Sequence, residues 1–225
     1  MDGGNTWSDP IHIQDLEDGP GDYPGCTDPS VGYCHLTGLA IRQPTYGNLV
    51  ASPMDGTLYF VFSDNRNGRH DVQKPITNLD VFVMSSTDGG ANWTGPDPVS
   101  EAVSDQGYPF AAVDSATGEL GVVFYDRSYH PRDRVFDVTL ATGRPRSFSS
   151  RRVTTESMPL TGNLWVGGEV PDCRDACVTF IGDYIGMAFG GDGTADIVWA
   201  DARRFVHVPD VGAGFTENIF FAHGG

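Results

Sequence analysis

The chain has 225 residues, 29 glycines, 15 prolines and a formal net charge of −16. That length suffices for one substantial core, and a turn-rich, aromatic-rich composition with few sustained helical periods points to an all-β domain. The charge argues against a nucleic-acid partner, because aspartates repel a phosphate backbone, and no apolar run reaches the length of a membrane helix.

In chain order, Asp2, Gly4 and Trp7 spell D-x-G-x-x-W, the second half of a turn motif whose full form stands later. The chain is therefore expected to open inside a turn, and no signal peptide stands within it. Ser8–Gln14, with Pro10-Ile11-His12-Ile13, is predicted to be the strand after that turn. Residues 15–41 read as a loop rich in Asp, Gly and Pro that carries Cys26 and Cys34. A second local pair, Cys173 and Cys177, lies in a similar loop. Two short-loop disulfides are expected, because these loops lack other means of ordering; free thiols in a cytosolic chain are the alternative. Zinc fits poorly, since the spacings are irregular and no histidine pair accompanies them. Disulfides imply an extracellular or secreted protein.

Next comes a repeat. Asn48–Ala51 and Thr57–Phe62 flank the turn 53–56, and the second run ends in Phe62-Ser63-Asp64-Asn65-Arg66. A loop leads to a strand over 79–84, a turn at 86–93, and a fourth strand near 96–103. The same order returns in Tyr108–Val113, Leu120–Phe124 with Tyr125-Asp126-Arg127, Phe136–Leu140 and Ser150–Thr154. It begins again in Tyr184–Phe189, Ala195–Trp199 with Asp201 and Arg203, and Asn218–Ala222. Four antiparallel strands per repeat is the blade of a β-propeller. About three blades are expected, over roughly 42–103, 104–155 and 180–225, with 1–14 a strand of an additional or closing blade. Three blades are fewer than a closed ring needs, so an incomplete ring with self-associating open blade faces is predicted.

The turn at 86–93 reads S-x-D-x-G-x-x-W, with Ser86, Asp88, Gly90 and Trp93 at the defining positions. Asp88 is suited to accept from its own backbone a few residues on. The glycines permit positive φ, and Trp93 offers an apolar plate with one N–H to satisfy. The motif resembles the Asp-box, or BNR repeat, of the sialidase-type (neuraminidase-like) β-propellers. In that family the box is a structural staple far from the active face, so it speaks for architecture more than for chemistry.

Alternating strand direction separates the faces. The boxes join third to fourth strands on one face. The Asp64/Arg66, Asp126/Arg127 and Asp201/Arg203 endings, with Asp105 and Asp183 in the blade-entry loops, are predicted to gather on the other. Long loops on one face of a rigid scaffold are where a site is expected. Arg66, Arg127 and Arg203 have two readings. They converge to clamp a carboxylate, as the family's arginine triad does, or each Asp–Arg pair ties one blade's loop to its neighbour.

The resemblance extends to Ile41-Arg42-Gln43-Pro44, which stands where sialidases carry an aromatic-R-I-P motif, with Ile in the aromatic's place and Gln43 in that of Ile. It implies that Arg42 binds a substrate carboxylate and that Asp71, in the loop before the box, is the acid/base. The family uses a tyrosine nucleophile assisted by a glutamate; residues of those types on the expected face are Tyr184 and Glu169. The implied function is a glycoside hydrolase acting on a terminal acidic sugar. The alternative is a non-catalytic propeller that binds a glycan or a glycoprotein. No cofactor is expected. Calcium is the one ion that aspartates and loop carbonyls suit, though no D-x-D-x-D-G run marks a site.

Overall fold

Apolar runs separated by Gly- and Asp-rich turns fold as strands throughout the described part of the chain. The computed structural model describes residues 4–17, 36–37, 39, 41, 45, 47–70, 76–160, 181–209 and 212–224. Strands β1 (Gly47–Ala51), β2 (Leu58–Asp64), β3 (Asp80–Ser86) and β4 (Thr94–Ser100) form a four-stranded antiparallel meander. Strands β5 (Gln106–Val113), β6 (Leu120–Asp126), β7 (Val135–Arg144) and β8 (Ser147–Arg152) repeat it, with the two-residue β9 (Met158–Pro159) added beside the start of β7. Strands β10 (Ile185–Phe189), β11 (Ala195–Val208) and β12 (Gly212–Gly224) give a third sheet in the same order. The fold is all-β, and its sheets have the order and stacking of part of a β-propeller.

The sheets stack through their apolar faces. Phe62, Phe82 and Met84 cover one face of the first sheet, with Phe60 and Trp93 against them. Tyr59, Val61, Val81 and Val83, on its other face, meet Leu120, Val122 and Phe124 of the second. Beyond that layer, Val123, Tyr125, Val138 and Leu140 meet Ile185, Met187, Ile197 and Trp199 of the third. Phe62, Phe124 and Trp199 thus occupy equivalent layers, as their shared position before an aspartate predicts. The strand period of two sends alternate residues of β6 to opposite sheets. Gly121 eases this close approach: a Cβ there would lie 2.6 Å from Met187 Cε and 2.7 Å from Phe189 Cζ, so those side-chain ends would have to shift. Tyr125 crosses between sheets, donating to Ala200 O (2.9 Å) and accepting from Ala200 N (3.1 Å). The first strands β1, β5 and β10 lie side by side, with β5 in the middle.

Two elements differ from the sequence expectation. Ser8–Gln14 is in no strand. The loop expected after Asp201 is instead a long hairpin: β11 resumes after a bulge between Asp201 and Arg204 and pairs with β12 as far as Val208↔Gly212. The alternating Phe205-Val206-His207-Val208 supplies that extension. The first sheet has a one-bridge version of it at Arg69↔Ile76. A bulge lets a strand continue past a residue that breaks the ladder.

Candidate functional site

The two ends of the sheets differ chemically. One end carries the turn at 86–93, called the box below. Ser86 Oγ donates to Asp88 Oδ1 (2.9 Å) and accepts from Gly90 N (2.9 Å). Asp88 accepts from Asn92 N (2.9 Å) and Asn92 Nδ2 (2.7 Å), and Trp93 Nε1 donates to Gly90 O (3.0 Å). Donors from Asn92 and Ser86 hold the Asp88 carboxyl down at about 2. The donors and acceptors of the box satisfy one another. The half-motif at the start of the chain has the same local form. Gly4 takes φ +87°, with 3.8 Å from an added Cβ to Trp7 Cζ2; Gly90 takes φ +92°, with 3.8 Å to Trp93 Cζ2. Trp93 is half-buried, whereas Trp7 is 88% exposed.

The other end carries the aspartates that close the second strands. Asp64, Asp126 and Asp201 each accept through Oδ1 from the backbone N–H two residues on: Arg66 at 2.7 Å, Ser128 at 2.8 Å and Arg203 at 2.9 Å. Arg66 and Arg203 also turn their side chains onto their own buried aspartates, at 3.0 and 2.9 Å. Their guanidinium groups lie over Phe82 (4.6 Å) and Phe220 (4.7 Å). Arg127, one residue out of this register, donates to Thr37 O (3.0 Å) and lies 3.4 Å from Asp105 Oδ2. Each arginine of the expected triad thus has its own aspartate and its own packing. Asp105 is buried, and also accepts from Leu79 N at 3.2 Å; burial raises its carboxyl despite Arg127 and these donors.

On the third strands, Asp80, Asp137 and Asn218 are the cross-strand partners of Asp64, Asp126 and Asp201. Asp137 is answered by Arg152 (2.6 Å), Thr154 (2.7 Å) and Ser157 (2.9 Å). Asp80 is buried and receives only amides at Oδ2, Asn67 at 2.7 Å and Asn78 at 3.5 Å, while its Oδ1 has no partner in hydrogen-bonding geometry. Burial pushes its carboxyl up to about 7; Asn67 and the Ala102 N–H pull down, and Glu101 and Asp105 push further up.

At this same end the first strands of the three sheets enclose a pocket of about 170 Å³, lined by Asn48, Tyr108, Phe110, Asp183 and Tyr184 among others. Asn48 Oδ1 accepts from Ala111 N (2.9 Å) and ties β1 to β5. The ladder of β5 with β6 skips between Gly107 and Phe110, and Tyr108 takes φ +56°. Bulges and positive-φ residues of this kind re-aim side chains beside binding sites. Tyr108 is buried edge-on against Tyr125, with ring centroids 5.7 Å apart. Tyr184, the residue before β10, is 79% exposed at the pocket.

Of the residues singled out from sequence, Asp183 and Tyr184 come together at this pocket, while Arg66, Arg127, Arg203 and Asp105 sit in the ion pairs described. Asp2, Arg42, Asp71, Glu169 and the four cysteines lie outside the described residues. Sequence reasoning passed over Asn48 and Phe110 as pocket walls and over Asp80. The signal for Asp80 was its place in the repeat, opposite Asp64 as Asp137 is opposite Asp126. Among the described residues, no cluster of three or more His, Cys, Asp or Glu side chains is arranged to hold a metal ion.

No protein-family model matches the chain, and no curated protein matches it. Among solved structures, its backbone is similar to that of the "Hadza microbial sialidase Hz136", with a TM-score of 0.44 and 16% sequence identity. The match covers 77% of this chain and 37% of that one. The propeller assignment rests on sheet order and register.

Proposed function

We propose that this chain is a carbohydrate-recognising propeller of the sialidase type, with its sugar site at the pocket between the first strands. The observation that carries this reading is Tyr184, an almost fully exposed ring beside a concave pocket walled by Phe110 and Tyr108, with the polar groups of Asn48 and Asp183 in its lining. A pyranose has an apolar C–H face and a hydroxyl edge. An exposed aromatic plate suits the face, and a few placed polar groups suit the edge. A chain of net charge −16 whose Arg66, Arg127 and Arg203 are committed to aspartates favours a neutral terminal sugar here. The hydrolytic reading has one specific support, the placement of Tyr184 with Asp183 at the pocket; its other members are Asp71 as acid/base, Glu169 as the tyrosine's helper, and Arg42 on an acidic sugar.

Calorimetric titration of the chain with lactose and with sialyllactose separates the two. Binding of lactose, weakened at least about tenfold by Tyr184→Ala, is expected; tenfold corresponds to about 1.4 kcal/mol, the scale of one lost aromatic contact. Release of free sialic acid from sialyllactose would establish the hydrolytic reading instead. Absence of heat with both sugars, or binding that ignores Tyr184→Ala, would refute the site.

A further inference from the structure

Asn48 holds a core-facing position of β1. It stands opposite Val61, which packs against the second sheet, as does Val50 two residues on. The equivalent positions of the other two sheets hold Phe110, opposite Val123, and Gly186, opposite Val198. The blade therefore accepts an apolar residue here, or none, and an amide has to find partners for both of its ends. Its oxygen has one. β5 is the first strand of its sheet, so alternate N–H groups of β5 point away from β6. One of them, Ala111 N, donates to Asn48 Oδ1 at 2.9 Å.

That bond orients the whole side chain. A backbone N–H only donates, so the amide oxygen is the atom that faces Ala111, and the NH2 group takes the other corner of the planar amide. Nδ2 makes no hydrogen bond among the described residues. Asn48 is half-buried, and it lines the same pocket as Asp183 and Tyr184. Turning the amide over would set its NH2 group against the Ala111 N–H, donor against donor. The tie between β1 and β5 thus fixes the polarity of what Asn48 offers. Across the lining, an ionised Asp183 offers the opposite polarity, since a carboxylate only accepts.

We propose that Asn48 determines what this pocket accepts, its Nδ2 donating to one oxygen of the bound sugar. The assignment rests on the sugar-site reading and says which ligand group that site selects. A hydroxyl satisfies the fixed donor, whereas a ring carbon stripped of its hydroxyl leaves Nδ2 without a partner in a confined pocket, and an ammonium group repels it. Asp183 accepts from a second hydroxyl, and Tyr184 covers the C–H face. The pocket then discriminates by the position of one hydroxyl on an uncharged ring, with the inter-sheet bond keeping the reading group in place before the ligand arrives.

Calorimetric titration of the native chain and of Asn48→Asp with lactose and its monodeoxy galactose-ring analogues tests this. The substitution keeps the shape and the Oδ1 acceptor for Ala111 N, and replaces only the donor; at about pH 8 the new carboxyl is charged. In the native chain, loss of one particular hydroxyl is expected to weaken binding about tenfold or more, the scale of a donor left unsatisfied. Asn48→Asp is expected to weaken lactose itself at least about tenfold at an unchanged unfolding midpoint, after which removal of that same hydroxyl costs nothing further. In the native chain the Asn48 side-chain amide protons are expected to shift and to exchange more slowly when lactose is added, a readout that does not depend on the variant. Lactose binding that leaves those protons unperturbed, or a deoxy profile that is the same in the native chain and the variant, would overturn the assignment alone. A native chain that takes up no lactose would overturn the sugar-site reading and this assignment with it.

Discussion

Asp80 sets a pH dependence that one substitution isolates. Its carboxyl is raised from the ordinary 3.8 to about 7, burial being the largest cause. The folded-state value lies above the unfolded one, so the native state binds this proton more tightly. Its contribution to stability is full below about pH 4, declines as pH rises, and levels off above about pH 7. At about 1.36 kcal/mol per pH unit, that shift makes the ionised form cost roughly 4 kcal/mol once the carboxylate is fully charged. Asp80→Asn keeps the size and the neutral acceptor and removes the titration. Relative to the native chain, the variant is therefore expected to gain about 1.5 kcal/mol at pH 5 and about 4 kcal/mol at pH 8. Only this difference is informative, because acids distant from Asp80 are common to both proteins and cancel to first order. Urea unfolding at the two pH values measures it. Parallel stability profiles, or a variant that loses ground as pH rises, would refute the account of Asp80 as a buried, underpartnered acid.

Two further outcomes separate the architecture from the site. Asp88→Ala is expected to lower the unfolding midpoint, because Asn92 and Ser86 lose their acceptor, while leaving sugar affinity unchanged, because the box stands at the opposite end of the sheets. A loss of affinity at unchanged stability would contradict that separation. Alkylation of the denatured, unreduced chain followed by mass measurement is expected to label none of the four cysteines, as two short-loop disulfides require; labelling of all four would remove the argument for an oxidising compartment.

The blade pattern was legible because each sheet states it independently. β2, β6 and β11 start within a residue of their expected positions, since each opens after a Gly- or Asp-bearing turn. The hairpin beyond Asp201 was not legible. The aromatic-x-Asp-x-Arg ending marks where the ladder is interrupted, and whether the strand resumes depends on the pairing available beyond the bulge. Phe205 meets Phe215 edge-on, ring centroids 5.3 Å apart, a cross-strand contact that no local pattern announces. The pocket was half legible. Tyr184 and Asp183 were placed on the correct face by strand direction alone. Tyr108 and Phe110 depend on a register skip that their sequence, Tyr108-Pro109-Phe110, signals only through the proline.

The aspartates and arginines at that end show how repetition separates structure from chemistry. A carboxylate clamp needs guanidinium groups whose charge is uncommitted, aimed at one point. Arg66 and Arg203 instead repeat one another across two sheets: the same bond to the aspartate two residues back, and the same aromatic plate from the third strand, 4.6 and 4.7 Å away. In the second sheet the position two after the aspartate is Ser128. The backbone bond survives there and the guanidinium does not. What the repeat preserves is therefore the turn that ends the second strand, and the arginine is an addition that neutralises a buried aspartate where the sheet has room for one. Asp137 gets the same treatment from a different direction, by Arg152 of β8. Asp80 has amides in place of an arginine, and burial raises its carboxyl to the neutral range. Among the described residues, the features at this end that differ from sheet to sheet are the register skip at Tyr108, the Asn48 tie between β1 and β5, and the uncovered ring of Tyr184. All three line one pocket.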